Sequence, residues 1–306
     1  MPITSFSGIL EAARSHGPVT IAVAAAEDVH TLEAVRLAGE NGLARALLAG
    51  RRERIAELAG EVGLDLSSHA IVEADLPETA ARLAAEAVFA GQAQLLMKGS
   101  LSTAALLKAA LACEKERDGR ARRLLSHVAV FEIPGHRKLL FLTDAGMIIA
   151  PTLDEKVELI ANARQVAAAL GVERPKVAVL AAVETVNPKM PSTIEAFELV
   201  ELHKSGRIPG VILDGPVSFD IAVDAASAAY KGVQSPVAGD ADILLVHDID
   251  VGNPLGKSLI YFGGAKMAGV VAGGSYPIVL TSRSETPEGK LVSIALAVLY
   301  GRFTCR

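Results

Sequence analysis

Short apolar runs rich in Val, Ile and Leu alternate with longer segments of helical periodicity along most of this chain. Runs without polar alternation are typical of parallel strands that helices cover on both faces. The first such helix is predicted over 28–40. The predicted strands are 19–24, 44–48, 70–73, 94–97, 128–133, 138–142, 176–180, 210–213, 242–246 and 277–280. The pattern predicts an α/β fold with parallel-rich sheets.

The chain length of 306 residues exceeds the size at which one hydrophobic core usually stops growing. We therefore expect two domains or one large α/β unit. Hydrophobic residues make up 51% of the chain and aromatic residues only 4%, without any Trp. The core must then consist mainly of Ala, Val, Leu and Ile, which suits helices packed on a parallel sheet.

The net charge of -5 disfavours a general nucleic-acid binder, because such proteins usually carry a clustered basic face. A small-molecule partner is expected instead. The densest basic stretch, 115–123, is interrupted by acidic residues. It is interpreted as a solvated loop or helix end, with a polyphosphate-binding rim as the alternative.

Cys113 and Cys305 lie far apart and share no metal-ligand spacing with the histidines. Neither a disulfide framework nor a zinc site is therefore predicted. Residues 1–10 lack the basic start and apolar run of an export signal, and no apolar stretch of about 18 residues occurs. We expect a cytoplasmic protein without a membrane partner.

Polar residues follow many of the predicted strands directly. Because ligands of open α/β sheets bind beyond the carboxyl ends of the strands, so many polar junctions indicate a shared crevice. The junctions are Lys98-Gly99-Ser100, Thr143-Asp144, Glu184-Thr185, Asp214-Gly215-Pro216, His247-Asp248 and Thr281-Ser282-Arg283.

Two of these junctions are suited to an anion. Backbone amides over 100–103 open a predicted helix beside Lys98, and Arg283 precedes a helix that Pro287 could start. Taken alone, Lys98 or Arg283 is more simply a solvated charge at a strand end. Together with Ser282 they favour a phosphate site.

Two other patterns have ordinary structural explanations. Asp144, Asp214 and Asp248 are as well suited to turns or helix caps as to a site, and no compact set of magnesium ligands accompanies them. The segment 252–258 resembles a P-loop but has three residues between its glycines where four are needed. One of the three is Pro254, which lacks an amide proton.

Several segments together resemble the phosphate acetyltransferase and phosphate butyryltransferase family, and the butyryl branch is the closer match. The resemblance runs from about Val19 to the end of the chain. It is carried in order by Leu96-Met97-Lys98-Gly99 with Ser102-Thr103, Leu142-Thr143-Asp144-Ala145-Gly146, Ser235-Pro236-Val237-Ala238-Gly239, Asp248 through Gly252-Asn253 to Lys257, and Thr281-Ser282-Arg283.

This resemblance implies two α/β domains of the isocitrate/isopropylmalate dehydrogenase-like fold facing a cleft. Their expected bounds are 1–127 plus 275–306 and 128–274. It also implies a homodimer or higher homo-oligomer that converts acyl-CoA and phosphate to acyl phosphate and CoA by direct transfer in a ternary complex. The acyl group would be butyryl or another short chain. Coenzyme A would be a substrate, with no tightly bound cofactor and no metal.

The resemblance also implies site roles. Ser282 would donate to the CoA sulfur or the carbonyl oxygen, and Arg283 would bind phosphate and stabilise developing charge. Gly289 occupies the position of the acetyl-branch aspartate that takes the thiol proton, so Glu288, or Glu285, is the substitute candidate. The implied substrate-binding residues are Lys98, Gly99, Ser102, Thr103, Lys108, Thr143, Asp144, Asp248, Asn253 and Lys257. Lys108 occupies the position of a second phosphate-binding arginine of the acetyl branch.

Two other functions stay open at this point. A metal- and NAD-dependent 2-hydroxy-acid dehydrogenase of related architecture is suggested by Asp144, Asp214 and Asp248, although no clear nicotinamide motif is present. A CoA-binding relative that has lost catalysis is suggested by Gly289 and Lys108.

Overall fold

The computed structural model describes residues 1–118, 124–280 and 286–304. Its strands are β1 (Val19–Ala24), β2 (Ala44–Gly50), β3 (Ala70–Glu73), β4 (Leu95–Lys98), β5 (Ser126–Glu132), β6 (Leu140–Thr143), β7 (Lys176–Leu180), β8 (Ile212–Val217), β9 (Ile243–Leu245), β10 (Lys266–Ala272) and β11 (Ile278–Val279). Its α-helices are α1 (Phe6–Arg14), α2 (Val29–Glu40), α3 (Arg52–Val62), α4 (Pro77–Phe89), α5 (Thr103–Asp118), α6 (Leu153–Ala169), α7 (Pro191–Lys204), α8 (Phe219–Val223), α9 (Ala225–Tyr230), α10 (Ile249–Tyr261) and α11 (Pro287–Thr304). A 3-10 helix spans Leu66–Ser68.

The chain divides into two units. The first unit comprises Phe6–Arg123 and Ala268–Arg306. Its strands follow the order β3-β2-β1-β4-β11-β10, in which β10 is antiparallel to β11 and the other neighbours are parallel. Leu96 lies opposite Ile278 and Met97 opposite Val279. β1, β4 and β11 therefore end at the same edge of this sheet.

Local sequence signals explain where several helices of the first unit begin. Asp28 caps α2, because its side chain accepts a hydrogen bond from the amide of Thr31. Proline opens α4 and α11 at a position where a helix needs no amide proton. Helix α11 is buried from Gly289 to Tyr300 and packs against α1 and α2. Its apolar character on all sides fits this central position.

The second unit comprises Met1–Ser5 and Leu124–Met267. Its strands follow the order β5-β6-β9-β7-β8, with β5 antiparallel to β6 and the rest parallel. A capping box in which Thr152 and Glu155 bond each other's backbone amides begins α6. Buried Phe131, Leu140 and Leu244 belong to the hydrophobic core of this unit.

The structure confirms the predicted α/β fold, and the strands of each unit are parallel except for one antiparallel pair. Every strand predicted from the sequence is present with small shifts at its ends. Strand β10 was not predicted, because glycine pairs at 263–264 and 273–274 flank it and resemble loop punctuation. Residues 252–258 lie within α10, so this segment is not a phosphate-binding loop. Within the described ranges, no helix has both the length and the apolar character needed to cross a bilayer.

An ion-pair cluster ties together the amino ends of β6, β7 and β9. Asp240 accepts hydrogen bonds from the ammonium of Lys176 at 2.8 Å and pairs with Lys138 at 2.9 Å. Asp242 accepts a hydrogen bond from Lys138 and another from the amide of Lys176. Burial alone would raise the pKa of Asp240, but the hydrogen bonds from Lys176 and Lys138 outweigh it and hold this pKa well below its usual value.

We expect Asp240→Asn to lower the free energy of unfolding at pH 7 by about 1–2 kcal/mol, because it removes the charge that Lys138, Lys176 and Arg137 share. A carboxylate whose pKa is lower in the folded state stabilises the folded protein fully above its unfolded-state pKa of about 3.9. This stabilisation is lost as the pH falls towards the folded-state pKa. The difference from wild type should therefore shrink below about pH 4.

Urea unfolding at pH 7, 5 and 3.5 measures this difference. Asp75→Asn is the matched control, because Asp75 is exposed and belongs to no ion pair among the residues described. A difference that stays constant down to pH 3.5, or that equals that of the control, contradicts the assignment.

Candidate functional site

Lys98 is the last residue of β4 and lies at the edge where β1, β4 and β11 end. Its side chain is half-buried, and its ammonium donates to the carbonyl oxygens of Gly99 at 3.3 Å and Leu101 at 3.2 Å. These contacts hold the cation over the 99–101 turn. The predicted phosphate ligand is thus fixed at the carboxyl edge of the first unit's sheet.

Gly99 is required by the close approach of two backbone segments. A Cβ atom at this residue would lie 2.1 Å from the carbonyl oxygen of Ala25 and 2.6 Å from that of Ala24. The amides of Gly99 and Ser100 donate to these two oxygens, at 2.9 Å to Ala24 and 2.7 Å to Ala25. The turn that carries Lys98 is therefore bonded to the end of β1.

Helix α5 begins beside this turn as the sequence predicted. The hydroxyl oxygen of Ser102 accepts a hydrogen bond from the amide of Ala105 at 3.1 Å, so Ser102 acts as the cap. Thr103 is the first residue of the helix and is half-buried. Lys108 is exposed, and no hydrogen bond or ion pair joins its side chain to a described residue. Its phosphate role stays a prediction.

Ser282, Arg283 and Glu285 lie outside the described residues, so their predicted roles stay predictions. The helix that follows them, α11, begins at Pro287. The hydroxyl of Thr286 accepts a hydrogen bond from the amide of Gly289 at 3.2 Å. Gly289 is buried and the candidate base Glu288 is exposed.

In the second unit, Asp144 organises the turn after β6. Its side chain is buried, and one carboxylate oxygen accepts from the amides of Gly146 at 2.8 Å and Met147 at 2.7 Å. The other accepts from the amide of His127 at 2.8 Å. Thr143 is also buried and donates its hydroxyl proton to the carbonyl oxygen of His127. The sequence predicted Thr143 and Asp144 as substrate ligands. Their side-chain hydrogen bonds to described residues end on backbone atoms.

His127 was missed by sequence reasoning and lies next to Asp144. Its Nδ1 atom is buried and has no hydrogen-bond partner among the described residues. Burial lowers the pKa of His127, and the charge of Asp144 only partly opposes this shift. We therefore expect a neutral imidazole at pH 7. The chain contains several isolated histidines, and no local pattern distinguishes this one.

The start of α10 packs on the same turn. The side chain of Asp248 caps this helix by accepting from the amide of Val251 at 2.9 Å. The side-chain amide of Asn253 donates to the carbonyl oxygen of Ala145 at 3.1 Å. A Cβ at Gly252 would lie 3.0 Å from the carbonyl oxygen of Asp144. Asp144 and Asn253 are thus brought together, while Lys257 is exposed further along the helix.

A second cluster of the same unit joins three elements. Lys156 is buried on α6 and pairs with Glu195 of α7. The Nδ1 atom of His247, which follows β9, lies 3.2 Å from the ammonium of Lys156 and 3.1 Å from the carboxylate of Glu195. The sequence indicated only His247, as part of a polar junction, because its two partners lie on other elements.

The described residues contain no group of three or more His, Cys, Asp or Glu side chains placed to hold a metal ion. Asp144 and Asp248 bond to backbone amides, and Asp214 accepts from the amide of Gly215. The geometry of these aspartates therefore gives the dehydrogenase hypothesis no support.

Residues 74–298 match the family described as "Phosphate acetyl/butaryl transferase". The chain belongs to this family. A probable phosphate butyryltransferase from Bacillus subtilis (strain 168) is 48% identical over 92% of this chain and 93% of its own length. A phosphate acetyltransferase from Thermotoga maritima is 43% identical over 95% of this chain and 98% of its own length. The family predicted from the motifs is thus confirmed.

A crystal structure of a branched-chain phosphotransacylase from Enterococcus faecalis V583 has the same fold. It superimposes with a TM-score of 0.81 at 36% identity, covering 92% of this chain and 99% of the other. The matched family segment includes Lys98, the Asp144 turn and Arg283. Each unit therefore carries candidate residues within the segment that matches the family.

Proposed function

We propose that this protein catalyses the reversible reaction of a short-chain acyl-CoA with inorganic phosphate to give an acyl phosphate and CoA. The observation that carries the proposal is the edge where β4 and β11 end together. Lys98 is anchored there, and the family residues Ser282 and Arg283 follow β11 in the sequence. Family membership over most of the chain supports the same reaction.

In the proposed reaction, a phosphate oxygen attacks the thioester carbon directly. The carbon–sulfur bond then breaks with its electron pair on sulfur, the proton of the phosphate passes to that sulfur, and CoA leaves. Lys98 and Arg283 would bind the phosphate and reduce its repulsion from the charge that develops at the acyl carbon. Ser282 would donate to the thioester. Thr103 and the capped start of α5 lie beside Lys98, where helix amides favour an anion.

In the second unit, Asp144 accepts hydrogen bonds from three backbone amides. We propose that Asp144 shapes the turn after β6, together with Asn253. Direct contacts of Thr143, Asp144, Asp248 and Lys257 with substrate stay predictions. We further propose the dehydrogenase-like architecture, a cytoplasmic location and a homo-oligomer. The domain bounds 1–127 plus 275–306 and 128–274 stay a prediction, and the two compact units differ from them at their ends.

Release of CoA from C2 to C5 acyl-CoA substrates, each with and without phosphate, tests the function. We expect release that depends on phosphate and is greatest for one short chain length. Release without phosphate would overturn the proposal. CoA binding without turnover over the whole panel would favour the non-catalytic relative, and NAD reduction with Mg²⁺ and a hydroxy acid would favour the dehydrogenase.

A further inference from the structure

Lys290 is a buried residue whose ammonium has no direct partner among the described residues. It lies in the first turn of α11, and its exposed fraction is 3%. It is the one charged residue in the buried run from Gly289 to Tyr300. No hydrogen bond or ion pair joins its ammonium to any part of the chain that the structure describes. A buried ammonium is costly unless an anion compensates it.

The charge of Lys290 lies near the start of α2. Asp28 caps that helix, and both of its described hydrogen bonds, from the amide and the hydroxyl of Thr31, end on one carboxylate oxygen. Burial tends to raise the pKa of Asp28, but the bonds from Thr31 and the charge of Lys290 lower it overall. Lys290 therefore affects Asp28 electrostatically without bonding to it.

Lys290, Asp28 and Lys98 belong to the same edge of the first unit. Asp28 follows β1 and Lys98 ends β4. Lys290 lies in the first turn of α11, the helix that follows β11 in the chain. These three strands are parallel neighbours, so their carboxyl ends meet. Helix α11 also contacts both α2 and β4. The start of α11 with Lys290, whose ammonium has no partner in the described ranges, therefore belongs to the edge where the proposed chemistry occurs.

We propose that Lys290 is a catalytic residue whose ammonium contacts the sulfur of coenzyme A and stabilises its thiolate, an inference that rests on the function proposed above. A free thiol has a pKa of about 8.5, so a thiolate at neutral pH needs a nearby cation. When acyl-CoA forms, the sulfur bonds the acyl carbon, the carbon–oxygen bond to phosphate breaks, and the thiol proton passes to phosphate.

A thiolate fits this place better than phosphate does. The carboxylate of Asp28 would repel a phosphate dianion more strongly than a singly charged sulfur. The proposed phosphate ligands Lys98 and Arg283 already supply two cations. Gly289 and the exposed Glu288 offer no buried carboxylate at the start of α11 to accept the thiol proton. Electrostatic stabilisation by Lys290 takes over the task that a base would otherwise perform.

Kinetics of Lys290→Met, measured from acyl phosphate and CoA, test this role. We expect kcat to fall about 10²-fold, as when one preorganised charge-stabilising donor is lost. The KM for phosphate in the opposite direction should change little. Lys290→Arg should keep part of the activity, because the positive charge remains. A raised KM for phosphate with an unchanged kcat would make Lys290 a phosphate ligand and overturn the proposal.

Calorimetric binding of CoA and desulfo-CoA gives a readout that does not depend on turnover. Wild type should bind CoA more tightly, and Lys290→Met should bind both alike. The thermal midpoint of Lys290→Met should equal or exceed that of wild type, because a buried unpaired charge is removed. A lower midpoint with the CoA preference intact would show a purely structural lysine.

Lys204→Met is the matched control, since Lys204 is exposed and its one ion pair with a described residue is to Glu201 on its own helix. The two proposals can fail separately. Absence of phosphate-dependent turnover in wild type would refute the proposed function. Normal turnover in wild type with an equally active Lys290→Met protein would refute only the role of Lys290.

Discussion

The Gly99→Ala protein is expected to lose about 3 kcal/mol or more of its free energy of unfolding, near the upper end for point substitutions. The added Cβ would lie 2.1 Å from the carbonyl oxygen of Ala25. That oxygen belongs to the backbone and accepts a hydrogen bond from Ser100, so it cannot move aside without breaking the junction between β1 and β4. Urea unfolding followed by circular dichroism measures the loss.

Gly60→Ala is the matched control for this substitution. Gly60 is exposed on α3, and a Cβ there would meet no heavy atom within 4 Å. Alanine in an exposed helix is more favourable than glycine by about 1 kcal/mol, so the control should be stabilised. Unfolding midpoints that shift equally in both variants would show that the close approach at Gly99 is not what requires glycine.

Gly99→Ala should also lower activity in whatever fraction stays folded, because the turn that carries Lys98 must shift. Lys98 depends on the carbonyl oxygens of Gly99 and Leu101 for its position. Phosphate-dependent CoA release per folded molecule measures this effect. Full activity in the folded fraction would contradict the placement of Lys98 by this turn.

The fold could be predicted because its strands are buried on both faces. Runs such as Val19–Ala24 and Lys176–Leu180 are short, apolar and bounded by helical patterns, and the structure reproduces both bounds. Strand β10 was not predicted, because the glycine pairs that flank it resemble loop punctuation. Its buried Val270 and Val271 were assigned to no element.

Only those parts of the site that lie at strand ends or helix caps could be predicted from the sequence. The polar junctions at Lys98 and Asp144 were found because the carboxyl ends of parallel strands collect ligands. The bonding of Asp144 to three backbone amides could not be predicted, since it requires the turn geometry. The ion pair of Lys156 with Glu195 and the electrostatic effect of Lys290 on Asp28 join residues that are distant in sequence. The sequence alone therefore does not reveal them.

Replacing Arg283 with alanine is expected to lower kcat/KM for phosphate by about 10²–10³-fold, as for loss of one charge-stabilising donor at a reacting centre. The proposed role combines phosphate binding with stabilisation of charge at the acyl carbon, so both KM and kcat should worsen. Arg283→Lys should be intermediate, because lysine keeps the charge but lacks the bidentate fork of arginine. Initial rates over a phosphate series measure both parameters.

Arg82→Ala is the control for this loss of charge, because Arg82 is exposed on α4 and, in the part of the chain that the structure describes, pairs with Glu86 alone. Its rates should match those of wild type. If Arg283→Ala keeps wild-type rates while phosphate-dependent turnover is established, Arg283 has no catalytic role and Lys98 must bind phosphate without it. If Arg283→Lys is as impaired as Arg283→Ala, geometry outweighs charge, and the reaction depends on two parallel hydrogen bonds to the phosphate.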